Sequence, residues 1–359
     1  MEINQRNKIQ ILGSGPSGLT AAISLAKAGK EVHVFERKDD CGARFMGDLQ
    51  GLENWTTHQD VLELFQELGL EINFDCSPFS ELKLSDGQKL SKEFSFNRPL
   101  FYLVKRGVMP GSLDDGLKQQ ALKAGVQLHF GSTIPLSEAD IIATGPETRK
   151  IFAIDKGIIF QTELPDMAVG LVNDKAAYKG YSYLLITGGY ACICTVLFDQ
   201  FNRIEDCFQY TIEKFKSILD LNIQDPKRVG GIGHFSLNQR FSENGKLFVG
   251  EAAGLQDLLW GFGIRSAVLS GNLAAKSIIE GTDYQFMASQ AFHHKMKATV
   301  VLRYLYEKLS RFGYGFLVNT THSRTDVREF LRKSHRYTWI HQSIFPLAIR
   351  SLRRRWDFI

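Results

Sequence analysis

The sequence predicts an α/β fold in three parts: a domain on a parallel sheet that is discontinuous along the chain, a second domain built on its own β-sheet, and a helical C-terminal region. Three observations carry this. The apolar run Ile9–Leu12 ends at Gly13-Ser14-Gly15-Pro16-Ser17-Gly18, a helical pattern follows to Lys27, and a second apolar run, Val32–Phe35, closes on Glu36. From Ile151 to Phe198, long β-rich runs carry few helical signals. Glycine punctuation then returns at Val249-Gly250-Glu251-Ala252-Ala253-Gly254, and Gly261-Phe262-Gly263-Ile264 opens a further helix to about Glu280. A strand-to-helix corner thus stands on either side of a β-rich middle, the pattern of a domain left and re-entered. The boundaries this implies are 1–70, 101–150 and 245–282 for the first domain, 71–100 and 151–244 for the second, and 283–359 for the helical region.

The first corner is one βαβ unit of Rossmann type. A side chain at Gly13 or Gly15 would obstruct a diphosphate approaching the backbone, and Gly18 lets the helix pack close to the strand. The helix beginning at Pro16 and Ser17 offers unpaired N–H groups and a partial positive charge to that diphosphate. Glu36 falls where a carboxylate accepts hydrogen bonds from both hydroxyls of an adenosine ribose, and an acid there disfavours a 2′-phosphate. The register of strand, turn, helix, strand and acid points to a dinucleotide site.

After Glu36, Arg37 to Asp48 holds too many glycines and charges for a regular element and reads as a loop able to run along a cofactor. Asp60–Leu68 is an amphipathic helix stopped by Gly69, and Leu82–Phe96 a hairpin turning at Asp86-Gly87. A strand at Tyr102–Val104 leads through Lys105-Arg106-Gly107 to a helix from about Ser112 to Lys123, ended by Gly125. Val126–Phe130 and Ala139–Ala143 are short strands, the latter running into Thr144-Gly145. Met167–Val172 and Tyr181–Leu197 belong to the second sheet, with Asp206–Leu219 a helix covering it. Gly230-Gly231-Ile232-Gly233 precedes no helix and marks a strand crossing between domains. From Asp283 on the pattern is helical, and Pro346 should break a helix there.

The chain of 359 residues carries a net charge of +4. From Val301 onward twelve Lys or Arg face four Asp or Glu, so the excess belongs to the tail and the rest is slightly acidic. Tyr337 to Trp356 mixes apolar residues with a basic cluster. Such a stretch suits contact with anionic lipid headgroups, or equally a tail packed on its own lobe with arginines in solvent. No nucleic-acid partner is expected. Nothing in Met1–Lys8 resembles a signal peptide, no apolar run approaches the ~18 residues of a membrane span, and five cysteines without framework spacing fit a reducing, cytoplasmic setting. Cys192-x-Cys194 reads as core packing, and no histidine or cysteine set has metal-ligand spacing.

Taken together, Gly13-x-Gly15-x-x-Gly18 with Glu36, Ala139-Asp140-Ile141-Ile142-Ala143-Thr144-Gly145, and the segments around Gly250 and Gly261 resemble the FAD-dependent oxidoreductases of the group that includes aromatic-ring hydroxylases and geranylgeranyl reductases. The resemblance covers about Lys8 to Glu280. It implies an FAD whose ribose is held by Glu36 and whose backbone is reached by Arg37, Arg44 and Arg106. It also implies a nucleotide half closed by Thr144 and Gly145, and a ribityl chain and ring held by Gly250, Glu251 and the backbone of Gly261 to Ile264. Glu251 stands where the family usually has aspartate.

Gly180-Tyr181-Ser182-Tyr183 resembles the cavity-lining segment of the geranylgeranyl-reductase branch, with Tyr183 in place of the usual tryptophan. On that branch Tyr181 and Tyr183 line the substrate cavity, and Cys41 is a proton donor or redox partner beside the flavin; its bland alternative is an inert loop thiol. Trp55, a loop aromatic, either lines the same cavity or simply packs. The implied reaction is hydride transfer from reduced flavin to a C=C bond of an apolar or aromatic small molecule. Electrons would come from transient NAD(P)H or an electron-donor protein. A flavin monooxygenase and a non-catalytic flavin- or lipid-binding carrier are the alternatives.

Overall fold

The computed structural model describes residues 7–87, 90–95, 98–148, 151–237, 240–309, 314–315 and 327–356. Most of the stretch before Lys8 thus lies outside the described residues, as do parts of the hairpin expected at Leu82–Phe96. From the N-terminus run β1 (Lys8–Leu12), α1 (Pro16–Lys27), β2 (Glu31–Phe35), β3 (Met46–Glu53), α2 (Val61–Glu67), β4 (Cys76–Phe79), β5 (Glu81–Ser85), β6 (Leu90–Ser95), β7 (Phe101–Gly107), α3 (Leu113–Lys123), β8 (Gln127–His129) and β9 (Ile141–Ile142). There follow β10 (Ile151–Gln161), β11 (Met167–Leu171), β12 (Tyr181–Thr187), β13 (Tyr190–Leu197), α4 (Ile204–Ile218) and β14 (Gln224–His234). Then come β15 (Ser242–Glu243), β16 (Lys246–Phe248), α5 (Ile264–Glu280), α6 (Tyr284–Leu309), α7 (Val327–Ser334) and α8 (Trp339–Leu352).

One sheet has the order β15-β16-β9-β1-β2-β8 and is parallel except for β15. Its members come from two separate stretches of the chain, 8–142 and 242–248, so the fold is α/β with a discontinuous parallel sheet. The return is fixed by backbone bonds from Leu247 to Asp140 and from Val249 to Ile142. Helix α5 then crosses α1 so closely that a Cβ on Gly271 would lie 2.1 Å from the Ser17 carbonyl oxygen. A second sheet, β14-β10-β13-β12-β11-β5-β6, is antiparallel apart from the β11–β5 pair. Helix α4 covers one face of it with buried Cys207, Phe208, Thr211 and Phe215. Strands β3, β7 and β4 form a separate antiparallel sheet.

Several local expectations need correction. The loop after Glu36 is shorter than the composition suggests, because Met46, Gly47 and Asp48 already belong to β3. The register slips between Met46 and Leu49 while Gly47 sits at φ +109°, so a bulge hides the strand's alternation. Lys105, Arg106 and Gly107 likewise remain in β7. The strand expected at Gly230 to Gly233 is present, as part of the edge strand β14. Finally, Pro346 sits inside α8 without ending it. Both Pro346 and Gln342, whose carbonyl loses its helical donor, are exposed, so water can satisfy that oxygen. Among the described residues no helix is long and apolar enough to cross a membrane.

Candidate active site

Two helix N-termini that lack side-chain caps open on one cavity of about 910 Å³: that of α1 at Gly15-Pro16-Ser17 and that of α5 at Gly263-Ile264. Their first-turn N–H groups leave two partial positive charges for an anion or an electron-rich edge. The three glycines of the first corner divide the work. Gly13 takes φ +105°, and a Cβ on it would lie 2.3 Å from the Ala143 carbonyl oxygen. A Cβ on Gly18 would lie 2.1 Å from the Gly13 oxygen, so Gly18 serves helix-on-strand packing and does not line the cavity. Gly15 lines it, and a Cβ there would meet nothing within 4 Å, so the free space above this backbone is the cavity itself.

Glu36 closes the same end. Its carboxylate accepts from Ser14 N at 3.0 Å, Ser14 Oγ at 2.9 Å and Lys38 N at 2.9 Å, which fixes its orientation and leaves lone pairs toward the cavity. Arg37, Thr144 and Gly145 line this end too. At the other end, Gly250 at φ +59° receives Ser17 against its backbone; it lies behind the cavity rather than on it. Asp257 Oδ1 accepts from the backbone N–H groups of Leu259 and Trp260 and so shapes the loop that presents Gly261 and Phe262. Gln256 donates from Nε2 to the Gly261 carbonyl at 2.9 Å, while its buried Oε1 has no partner.

Between the two ends lies a charged cluster. Arg44 Nη1 stands 3.5 Å from Glu251 Oε2, and Glu251 Oε1 also accepts from His234 N at 3.1 Å. Burial raises the Glu251 carboxyl above its ordinary value although Arg44 pulls the other way. Asp155, on β10, is pushed up to about 6 by burial, reinforced by the negative charges of Asp48 and Glu251 and opposed by Arg44. Asp48 is itself raised by burial. All three carboxyls line the cavity. Arg106 does so as well, but Asp114 holds its guanidinium through two bonds of 2.8 and 2.9 Å, and its Nη1 donates to Gln50 at 2.8 Å. Its charge is spent within the protein, which leaves Arg37 and Arg44, among the described residues, as the lining arginines that no carboxylate holds through two bonds. The two guanidiniums lie against the Phe45 ring, at 4.7 and 4.2 Å.

The structure also corrects the expectation for Cys41. The thiol is 1 % exposed, does not line the cavity, and burial pushes it up to about 12. Burial favours the neutral thiol, and its place behind the cavity wall keeps it from a bound substrate.

Beyond the charged cluster the cavity becomes apolar, bounded by Leu82, Leu84, Leu103, Val169, Leu185 and Phe262. Tyr181, Tyr183 and Trp55 all face it. The Tyr181 hydroxyl donates to the Trp260 carbonyl, and Trp55 meets Phe262 edge-on at 4.6 Å, its indole N–H buried without a partner. Cys192 and Cys194 are buried on one face of β13 with their sulfurs 3.8 Å apart, as core packing requires. Among the described residues no group of three or more His, Cys, Asp or Glu could hold a metal ion. The structure therefore gathers into one cavity every expected site residue except Cys41, Gly18 and Gly250. Sequence reasoning missed Asp48, Asp155 and Gln256; the one signal for Asp155 was an acid in the apolar run Ile151–Phe160.

A family model described as an NAD(P)-binding Rossmann-like domain matches residues 11–48. A thiamine thiazole synthase of Thermococcus kodakarensis is 34% identical over 68 residues, 19% of this chain and 27% of the synthase, so the match spans about a quarter of that relative's length. Among solved structures, a geranylgeranyl bacteriochlorophyll reductase-like protein of Thermoplasma acidophilum superposes with a TM-score of 0.73 at 18% identity, covering 98% of this chain and 99% of that one. A flavin-dependent brominase superposes at 0.66 with 16% identity, covering 97% and 99%. The chain shares its overall fold with these two solved structures.

Proposed function

We propose that this protein is an FAD-dependent reductase that saturates a carbon–carbon double bond of an apolar substrate. The observation that carries the reading is Asp155, a half-buried carboxyl raised to about 6 that lines the cavity together with Asp48 and Glu251. When bound, FAD supplies hydride exchange at its N5. Gly15, Pro16 and Ser17 hold the diphosphate at the α1 N-terminus, with Arg37 and Arg44 adding positive charge, and Glu36 accepts from the adenosine ribose. Thr144 and Gly145 close over the nucleotide half. Glu251 and the N–H groups of Gly263 and Ile264 orient the ribityl chain and the ring edge that gains negative charge on reduction. Tyr181, Tyr183 and Trp55 orient the substrate and exclude water. Asp155 holds the proton that saturation needs on the second carbon. The fit rests on the open space above Gly15, the two uncapped helix ends and the unpartnered Gln256 oxygen.

The electron donor is NAD(P)H binding transiently or a redox protein. The test begins with the visible spectrum of purified protein and anaerobic reduction by NADH, NADPH or dithionite. Unsaturated polyisoprenoids are then added and the products analysed. Reoxidation with a saturated product supports the reading. Reoxidation only by O2, with hydroxylated product, would assign a monooxygenase, and a colourless protein that takes up no FAD would leave a carrier.

A further inference from the structure

Helix α8 divides into two faces. His341, Ala348 and Leu352 are buried and Phe345 half-buried, packed toward α6, and Trp356 just beyond is buried against Phe152. The opposite side presents Trp339, Ile340 and Leu347 at 74 %, 50 % and 59 % exposure, followed one turn on by exposed Arg350, Arg353 and Arg354. At helical spacing Ile340, Ser343, Leu347, Arg350 and Arg354 fall on one stripe. Large apolar residues exposed singly need no explanation; three on one helix face beside a cationic end do. No acid occurs between Glu329 and Asp357, a stretch that holds seven Lys or Arg. Arg355 of the terminal cluster is turned inward, paired with Glu307 and Asp199.

We propose that this face of α8 docks on an anionic lipid bilayer, with Trp339, Ile340 and Leu347 in the headgroup–acyl boundary and Arg350, Arg353 and Arg354 on lipid phosphates. Charge complementarity selects this occupant. A protein groove would take the apolar half, but three adjacent exposed arginines with no acid among them match a surface of continuous negative charge. The inference is independent of the redox reading, since none of these six residues lines the cavity.

The test is co-sedimentation of the full chain with vesicles of phosphatidylcholine alone and of phosphatidylcholine with phosphatidylglycerol. Binding is expected on the anionic vesicles only, weakening with salt, and accompanied by a blue shift of tryptophan emission that Trp339→Phe removes. Arg350→Gln with Arg354→Gln should weaken binding by about 30-fold, and Ile340→Gln with Leu347→Gln should weaken it as well. Far-UV circular dichroism and unchanged urea midpoints confirm that the variants are folded. Failure to sediment with anionic vesicles at low salt overturns the proposal, as does binding that both folded variants retain in full. A concentration-dependent dimer abolished by the apolar variant, with no vesicle binding, overturns it in favour of a second copy of this chain.

Discussion

The Arg44 guanidinium lies 3.5 Å from the Glu251 carboxylate, joining the loop after β2 to the turn after β16 across the mouth between the two helix ends. Arg44 lines the cavity without the bidentate carboxylate partner that holds Arg106. Arg44→Ala is therefore expected to weaken FAD binding by about 10- to 100-fold, the loss of one charge-assisted hydrogen bond. Fluorescence titration of the apoprotein measures it. Because the pair is in contact, the loss should differ when Glu251→Gln is already present; equal losses in both backgrounds would show that the pair does not govern binding.

Gly13 and Gly15 separate folding from binding. Gly15 has an extended conformation that any residue adopts and empty space where a Cβ would stand. Gly15→Ala should leave the apoprotein within about 0.5 kcal/mol of wild type while reducing FAD occupancy. Gly13→Ala faces both φ +105° and the Ala143 carbonyl at 2.3 Å, and should cost at least about 3 kcal/mol. Urea melts of the two apoproteins distinguish them; equal destabilisation would mean that the cavity beside Gly15 is not free.

The same contrast explains what the sequence could disclose. A G-x-G-x-x-G turn is legible because its chemistry is local: the backbone that must bend is the backbone that must be bare. Glu36 is legible for a related reason, since one strand length fixes its distance from the turn. Asp155 is not, because its meaning depends on Asp48 and Glu251, distant in sequence, reaching the same wall. Strand β3 hides behind the bulge at Gly47. Which of the two readings of Cys41 holds, proton donor or inert loop thiol, turns on burial, a tertiary property.

Glu53 ties the antiparallel β3 to the C-terminal helices. It is buried, and Lys295 Nζ lies 3.2 Å away on α6. Burial opposes its charge, but Lys295, Arg265 and Thr56 more than offset this and hold the carboxyl down at about 2. A lowered folded value gives stability that is present above the unfolded value near 4.3 and is lost as pH falls toward 2. Glu53→Gln should then cost about 2 to 4 kcal/mol at neutral pH, shrinking steadily below pH 4. Denaturant midpoints taken from pH 7 to pH 3 test this, and a cost that does not change with pH would contradict it.

Cys41 offers a negative prediction with a clear readout. Its thiol is buried and held neutral, so native protein should resist iodoacetamide at this position, as peptide mass mapping would show. Cys41→Ala should retain flavin reduction and turnover within about twofold, the range of a small packing change. A loss of reoxidation with intact FAD binding would restore the thiol to the reaction.

Asp155 carries the proposed chemistry and gives the sharpest pH dependence. Its folded value of about 6 stands above the unfolded value near 3.9. The stability tied to its proton is fully present below pH 4 and is lost as pH rises through 6. Since the side chain is only half-buried, the swing is at most on the order of 2 kcal/mol. Asp155→Asn cannot ionise, so its urea midpoint should gain on wild type as pH rises from 4 to 7. A proton donor must also be protonated to act. Wild-type kcat/KM should fall above pH 6, whereas the asparagine variant should bind FAD normally, accept electrons normally, and turn over at least about 100-fold more slowly with a flat profile. If the variant kept both the rate and the limb near pH 6, the proton would have to come from Glu251 or Asp48, the carboxyls that share the wall.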